Sequence, residues 1–232
     1  RISRCDVTGQ VTGGTSYIGG LVGYNSTQGQ LTDCRFTGRI APGQSNAGLV
    51  GGLVGGNMGV ILRCCARDVD VSGSQFIGGL VGQNGSATGV IEACYATGVI
   101  EGIRYVGGLV GGNGIVPMVR RSILIQATDD PSADSTANGV IRRCYAACSV
   151  TGQQDVGGCI GLAMIQDAIQ ESCYFLDPND GGGPDNGFGT PLTAGQMQQQ
   201  ASFAGWDFAE TWTICEGHDY PRLKWETAEC EE

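Results

Sequence analysis

Along most of the chain, small apolar side chains return to the same places in blocks of about thirty residues. The phrase "VIEACYATGVIEG" at 90–102 is typical. Its relatives are "RISRCDVTGQVTG" at 1–13, "QLTDCRFTGRIAPG" at 30–43, "VILRCCARDVDVSG" at 60–73 and "VIRRCYAACSVTG" at 140–152. A degraded copy, "AIQESCYFLD", follows at 168–177. Within 90–102, Ile91, Cys94, Ala96 and then Val99 or Ile100 are small or β-branched, and glycines bound them. That pattern predicts short strands, with alternation only partial because such strands bend at corners. No stretch before residue 190 sustains helical spacing.

A second phrase alternates with the first: "YIGGLVGYN" at 17–25, "LVGGLVGGN" at 49–57, "FIGGLVGQN" at 76–84, "YVGGLVGGN" at 105–113 and a worn "VGGCIGLA" at 156–163. Cys5, Cys34, Cys64, Cys94, Cys144 and Cys173 mark one slot in each unit, at intervals of 29, 30, 30, 50 and 29 residues. The period is 29 to 30, with an inserted loop near 114–139. A unit of two or three short strands cannot bury its own apolar face and must stack on its neighbours. The predicted fold is all-β: a parallel β-solenoid of about six coils over residues 1–176, closed by a C-terminal helix and strand cap over 177–232. At roughly 4.8 Å per coil the rod is about 25 to 30 Å long.

The 41 glycines fit this geometry. They permit the bends at the corners and let adjacent coils approach to strand spacing. Of the two neighbouring rows, Leu21, Leu53, Leu80, Leu109 with Cys159, and Val22, Val54, Val81, Val110 with Ile160, one is expected to face the core. Asn25, Asn57, Asn84 and Asn113 follow the glycines in register and are expected to bond amide to amide along the rod. The six slot cysteines read as a reduced core ladder, because cysteine packs as a small hydrophobe and parallel side-chain vectors suit a disulfide poorly.

"GGLVGxN" alternating with "CYATG" resembles the GLUG repeat of bacterial secreted and surface-anchored proteins, a motif that turns up in large adhesin-like chains and beside some immunoglobulin-cleaving metalloproteases. The resemblance spans roughly residues 1–175. The tail from "NGFGTPLTAGQMQQQ" onward is similar to segments that close such arrays. The resemblance implies a secreted or cell-surface, non-catalytic repeat module, and it implies no active-site residues.

Charge and candidate chemistry narrow the reading further. A net charge of −10 disfavours nucleic acid and anionic lipid as partners. No apolar run reaches the roughly 18 residues of a spanning helix. Arg1 is not an initiator methionine, so the chain is expected to be processed or trimmed. The single histidine, His218, cannot complete an ordinary Cys/His zinc site, and there is no "HExxH" or GxSxG. Asp33, Asp68, Asp70, Glu92, Glu101 and Glu171 fall in several different slots, unlike the paired carboxylates of a glycosidase. No catalytic residues and no cofactor are therefore expected. Asp177, Asn179, Asp180 and Asp185 form a weak calcium candidate, but Phe188 stands where an EF-hand needs its glutamate. Asn25 and Asn84 begin glycosylation acceptor triplets, although the ladder already explains both.

Eleven cysteines leave at least one without an intrachain partner. Cys215 and Cys230 in the tail are the candidate disulfide. Cys65 shares a slot with Tyr95, Tyr145 and Tyr174, so alternation predicts an outward, exposed thiol. The three tyrosines are the candidate row for a glycan. Thr193 can N-cap a short helix through "AGQMQQQA", and Trp206, Phe208, Trp212 and Trp225 supply the apolar area of a plug over the last coil. The N-terminal coil, by contrast, is in repeat phase from Ile2 with no cap. Two readings follow: a piece of a longer array, or a subunit whose open edge is covered by another molecule, as in a head-to-tail homopolymer. The expected role is an extracellular structural rod that self-associates end to end, with an adhesin or carbohydrate-binding module as the alternative and a polysaccharide-cleaving β-helix enzyme behind both.

Overall fold

The computed structural model describes residues 1–44, 46–85, 88–114, 139–163 and 170–226. Most of the expected insertion, residues 115–138, and Cys230 lie outside these. The described chain winds through four short parallel sheets. The first stacks Ile2–Ser3, Gln30–Thr32, Val60–Leu62, Val90–Glu92, Val140–Arg142 and Gln170–Glu171. The second stacks the longer strands Asp6–Thr12, Arg35–Ala41, Cys65–Ser72, Tyr95–Glu101, Tyr145–Thr151 and Tyr174–Leu176. The third and fourth flank the double glycines, from Ser16–Gly19 to Gln154–Gly157 and from Val22–Asn25 to Ile160–Ala163. The β-solenoid is thus as expected, with five complete coils and a sixth that enters only the first two sheets.

Register repeats from coil to coil. Ile2, Leu31, Ile61, Ile91 and Ile141 stack in one column, and Val22, Val54, Val81, Val110 and Ile160 in another. The leucine row and the valine row both belong to the central core, not one alone; Leu53, Val54, Leu80, Val81, Leu109 and Val110 are fully buried. The chain turns between the third and fourth sheets at this point, so two consecutive side chains look inward across one corner.

The left-handed corners are not where the paired glycines sit. Two rows of non-glycine residues have positive φ: Arg4, Asp33, Arg63, Ala93, Arg143 and Ser172, then Tyr17, Leu49, Phe76, Tyr105 and Asp155. Such a conformation costs about 1 kcal/mol or more per residue and persists only where its surroundings fix it. Here the hydrogen-bond ladder runs straight through the corner, as in Asp33 N to Leu62 O at 3.1 Å, Arg63 N to Glu92 O at 3.0 Å and Arg143 N to Glu171 O at 2.8 Å.

The double glycines serve distance instead of angle. None of Gly51, Gly52, Gly78, Gly79, Gly107 or Gly108 has positive φ. A Cβ on Gly51 would lie 2.6 Å from Gly82 N, and one on Gly52 would collide with the Gly79 carbonyl and come within 2.9 Å of the Ala66 Cβ. Gly79 repeats this arrangement against the Gly108 carbonyl and Ala96.

The C-terminal segment departs from the expected plug. The end of the solenoid is sealed by a short backbone stretch: Gly158 N donates to Pro184 O at 2.7 Å, Asn186 Nδ2 to Ile160 O at 2.8 Å, and Thr190–Leu192 pairs with Tyr174–Leu176 as a further parallel strand. Thr193 then caps a helix reciprocally with Gln196, as its sequence indicates, but the helix covers only Ala194–Met197. From there the chain does not stay at the end. It runs back along the outer face of the second sheet as a strap, where Phe203, Trp206, Trp212 and Leu223 are buried.

Replacing Gly79 with Ala should destabilise the fold by about 2 kcal/mol or more, as overpacking does. Gly9→Ala, which meets nothing within 4 Å, should change stability by less than about 0.5 kcal/mol. Urea denaturation of the two variants checks this, and equal stabilities would contradict the close-approach role of the pair.

Candidate functional site

Three arrangements of side chains rise above ordinary core packing: an asparagine ladder, a cysteine ladder and the strapped tyrosine face. Each asparagine ends a strand of the fourth sheet, where the register brings its equivalents to strand spacing. Asn25 Nδ2 donates to Asn57 Oδ1 at 2.7 Å, Asn57 Nδ2 to Asn84 Oδ1 at 2.8 Å, and Asn84 Nδ2 to Asn113 Oδ1 at 3.0 Å. The last member, Asn113, donates to Gly139 O at 2.9 Å, because Ala163 occupies the fifth position. All four are buried. A Cβ at Gly59 would stand 2.8 Å from Asn25 Nδ2, and one at Gly89 2.6 Å from Asn84 Oδ1, so the glycine after each asparagine makes room for the amide column. Burial this deep also closes Asn25 and Asn84 to glycosylation in the folded state.

The six slot cysteines follow the first left-handed corner and carry no disulfide. Cys34 N donates to Cys64 Sγ at 3.4 Å and Cys64 N to Cys94 Sγ at 3.3 Å, while each thiol turns back to the carbonyl two residues earlier, as from Cys94 to Glu92 O at 3.1 Å. Burial pushes the Cys94, Cys148 and Cys159 thiols up, which suppresses the reactive thiolate. Cys148, in the turn-glycine position, points into the core with its thiol on Gly108 O at 3.4 Å. Cys215 is disulfide-bonded; its candidate partner Cys230 lies outside the described residues.

The tyrosine row is where the expectation fails. Tyr95, Tyr145 and Tyr174 stack in register, with the Tyr95 and Tyr145 rings parallel at 5.0 Å, but the strap covers them. Trp206, Phe203 and Trp212 pack on Tyr145, and Trp206 and Phe203 on Tyr174. Tyr145 Oη donates to Pro221 O at 2.7 Å. Cys65 is fully buried in the same cluster, not exposed, so alternation gave its direction correctly but could not show what lay over it. A row needed for a glycan is thus spent inside the protein. Trp225 and Phe208 lie at the margin of the cluster; Trp225 Nε1 donates to Arg63 O at 2.8 Å.

The last described residue of the strap is one the sequence reading passed over. The Glu226 side chain is fully buried. Its carboxylate accepts from Tyr95 Oη at 2.8 Å, from Leu223 N at 2.9 Å and from the Cys65 thiol at 3.6 Å, and faces Arg35 at 3.7 Å. Arg35 in turn forms a bidentate pair with Asp6 one coil below. A second unforeseen feature is an outer aromatic cluster of Leu49, Phe76 and Tyr105, from the second left-handed corner. A Cβ on Gly112 would stand 2.7 Å from the Phe76 ring, and one on Gly56 2.8 Å from the Tyr17 ring, so these fourth-sheet glycines seat the two rings.

The acids of the calcium candidate do not converge. Asp177 accepts from Asn179 and Asp185 from Gly187 N at 2.9 Å, each within its own turn, while Asp180 accepts from Ala194 N at the start of the short helix at 2.7 Å. Among the described residues no three His, Cys, Asp or Glu side chains are placed to hold a metal ion. Among them, too, no helix is long and apolar enough to cross a membrane.

With the glycine-seated coils, the asparagine column and the cysteine slot in place, the family comparison can be read residue by residue. The GLUG motif model matches residues 14–41. The chain carries the GLUG motif. That match spans one repeat length and takes in the Gly19–Gly20 pair and the second-coil cysteine Cys34, and the structural register extends the same pattern over the other coils. No match is found among curated proteins or among solved structures.

Asn84→Ala should remove two buried amide bonds and leave Asn113 Oδ1 without its donor, costing about 2 to 5 kcal/mol. A urea midpoint within error of the parent would show the column to be incidental. Of the nine unpaired cysteines among the described residues, only the half-buried Cys5 should react with Ellman's reagent in the native protein, the others appearing on unfolding. A second fast-reacting thiol at Cys65 would contradict the strapped arrangement.

Proposed function

We propose that this GLUG-repeat β-solenoid is a non-catalytic, extracellular structural rod that ends an array and associates through its N-terminal edge. The observation that carries this reading is the asymmetry of the two ends. At the C-terminal end Thr190–Leu192 pairs with Tyr174–Leu176, Gly158 N donates to Pro184 O and the Asn186 side chain donates to Ile160 O, so part of that edge is covered. At the other end, among the described residues, no strand pairs with the outer edges of Ile2–Ser3, Asp6–Thr12, Ser16–Gly19 or Val22–Asn25. The inward side chains Ile2, Cys5, Val7, Val11, Leu21 and Val22 are only partly buried there. An open parallel edge over an exposed core is a template for strand addition.

The sealed end weighs against the head-to-tail filament, since a second copy offers the open edge no matching edge unless the 182–192 segment is displaced. A single associating edge builds pairs, or receives further coils of the same repeat. The adhesin alternative keeps the surface location but loses its tyrosine row, which the strap occupies. Extracellular placement rests on the resemblance to secreted and surface-anchored repeat proteins.

Sedimentation velocity over a range of concentrations tests the reading. The parent chain should form a closed dimer without fibres. Val11→Lys, which sets a charge in the exposed end of the core, should shift it to monomer by weakening association at least about tenfold. A parent chain that is monomeric at every concentration would overturn the proposal, and electron micrographs showing long fibres would restore the filament.

A further inference from the structure

Where glycine follows asparagine, the missing side chain leaves the glycine nitrogen free to approach the asparagine amide carbon. Of the four Asn–Gly bonds in the sequence, three lie within the described residues, at Asn84, Asn113 and Asn186. Two of these are locked. Asn84 and Asn113 are buried, and their amides belong to the column. The nitrogens that follow them are committed to coil-to-coil bonds: Gly85 N donates to Asn57 O and Gly114 N to Asn84 O, both at 2.8 Å. Freeing either nitrogen would leave a buried carbonyl without its donor.

Asn186 stands differently. It and Gly187 are exposed, in the stretch that covers part of the C-terminal end of the solenoid. The Gly187 N–H does not join the ladder but donates to the Asp185 carboxylate at 2.9 Å. Phe188 N donates to Asn186 Oδ1 at 3.3 Å. On the other limb of the amide, Nδ2 donates to Ile160 O at 2.8 Å and to Gly161 O at 3.2 Å. A nitrogen nucleophile is thus paired with a base, and a backbone donor sits on the oxygen that gains charge when that nitrogen attacks. These are the parts that acyl transfer requires. Water has free access, since a Cβ on Gly187 would meet nothing within 4 Å.

We infer that Asn186 is a self-modification site, deamidated by its own turn, and that the reaction loosens the cover of the C-terminal end. Gly187 N bonds to Asn186 Cγ as its proton passes to Asp185. The Cγ–Nδ2 bond then breaks, and Nδ2 leaves as ammonia with that proton, closing a cyclic imide between residues 186 and 187. Water opens the imide at either carbonyl and leaves aspartate or isoaspartate at 186. Water is the one co-reactant, and nothing is oxidised or reduced. Either product replaces a donor of two hydrogen bonds by a carboxylate facing the Ile160 and Gly161 carbonyls. A contact that held the cover down becomes repulsive. The site does not depend on how the N-terminal edge associates.

The test is incubation of the folded full chain at neutral pH, with peptide mass spectrometry that separates aspartate from isoaspartate. Acid should accumulate at 186 at least about tenfold faster than at 84 or 113, with isoaspartate the larger product. Asp185→Asn keeps an acceptor for the Gly187 N–H but removes the base, and it should slow the reaction at 186 at least about tenfold. Asn186→Asp supplies a finished product, and it should speed hydrogen exchange at Gly158 N, which donates to Pro184 O beneath the same cover. The parent measurement needs no variant to fold. Equal rates at the three asparagines overturn the proposal, and aspartate without isoaspartate overturns the attack by Gly187 N. An unchanged rate in Asp185→Asn removes Asp185 from the chemistry. Unchanged exchange at Gly158 in Asn186→Asp overturns the loosening of the cover.

Discussion

Neighbouring coils come so close at the double glycines that the backbone of one occupies the space a Cβ on the next would need. Gly51 and Gly52 face the Gly78 to Gly82 turn in this way, and Gly78 and Gly79 face the following one. The approach fixes the coil rise at strand spacing and keeps all four sheets in register around the circuit. Once it is fixed, every slot of the repeat becomes a column. Side chains that would be unremarkable singly then act on copies of themselves: leucines interlock, amides bond to amides, thiols stack over backbone carbonyls.

Column logic also explains the tolerance for backbone strain. Of the twelve non-glycine residues with positive φ among the described residues, all but Asp68 fall in two rows, a conformation that in an isolated turn would be hard to sustain. In the first row the backbone N–H groups of Arg4, Asp33, Arg63, Ala93 and Arg143 each donate to the following coil, so relaxing one would break a bond between storeys. The second of these rows then throws Tyr17 and Phe76 outward onto the fourth-sheet glycines Gly56 and Gly112. The glycines therefore do two jobs, admitting backbone on the inside of the rod and aromatic rings on the outside.

What could be read from the chain alone was whatever repeats. Six cysteines at one slot were enough to imply the solenoid, and four asparagines in phase were enough to imply an amide ladder, because periodic identity is itself a statement about contact. The corners were misassigned to glycine because a left-handed residue leaves no mark in a sequence when the ladder around it bears the cost: arginine, aspartate, alanine and serine all occupy the same corner. Cys65 and the tyrosines were given the correct face but the wrong surroundings. Their cover comes from residues 203–226, which do not repeat, and periodicity says nothing about where a unique segment goes. Glu226 was passed over for the same reason.

The route of that segment changes how the rod holds together. In a simple stack each coil feels only its nearest neighbours, and stability is close to a sum of local terms. The strap adds contacts of much longer reach along the axis. Trp206 Nε1 holds Ser172 O in the sixth coil at 3.1 Å, Pro221 O receives Tyr145 in the fifth, Glu226 receives Tyr95 in the fourth, Trp225 holds Arg63 in the third, and Glu226 reaches Arg35 in the second. A single chain segment thus spans five storeys. Opening any one of the bridged coils exposes part of the same aromatic cluster and loosens the buried carboxylate at its far end, so these coils are tied into a common unit. The first coil reaches that unit through neighbouring strands, the Asn25 amide bond to Asn57 and the Asp6 pair with Arg35, as in a simple stack.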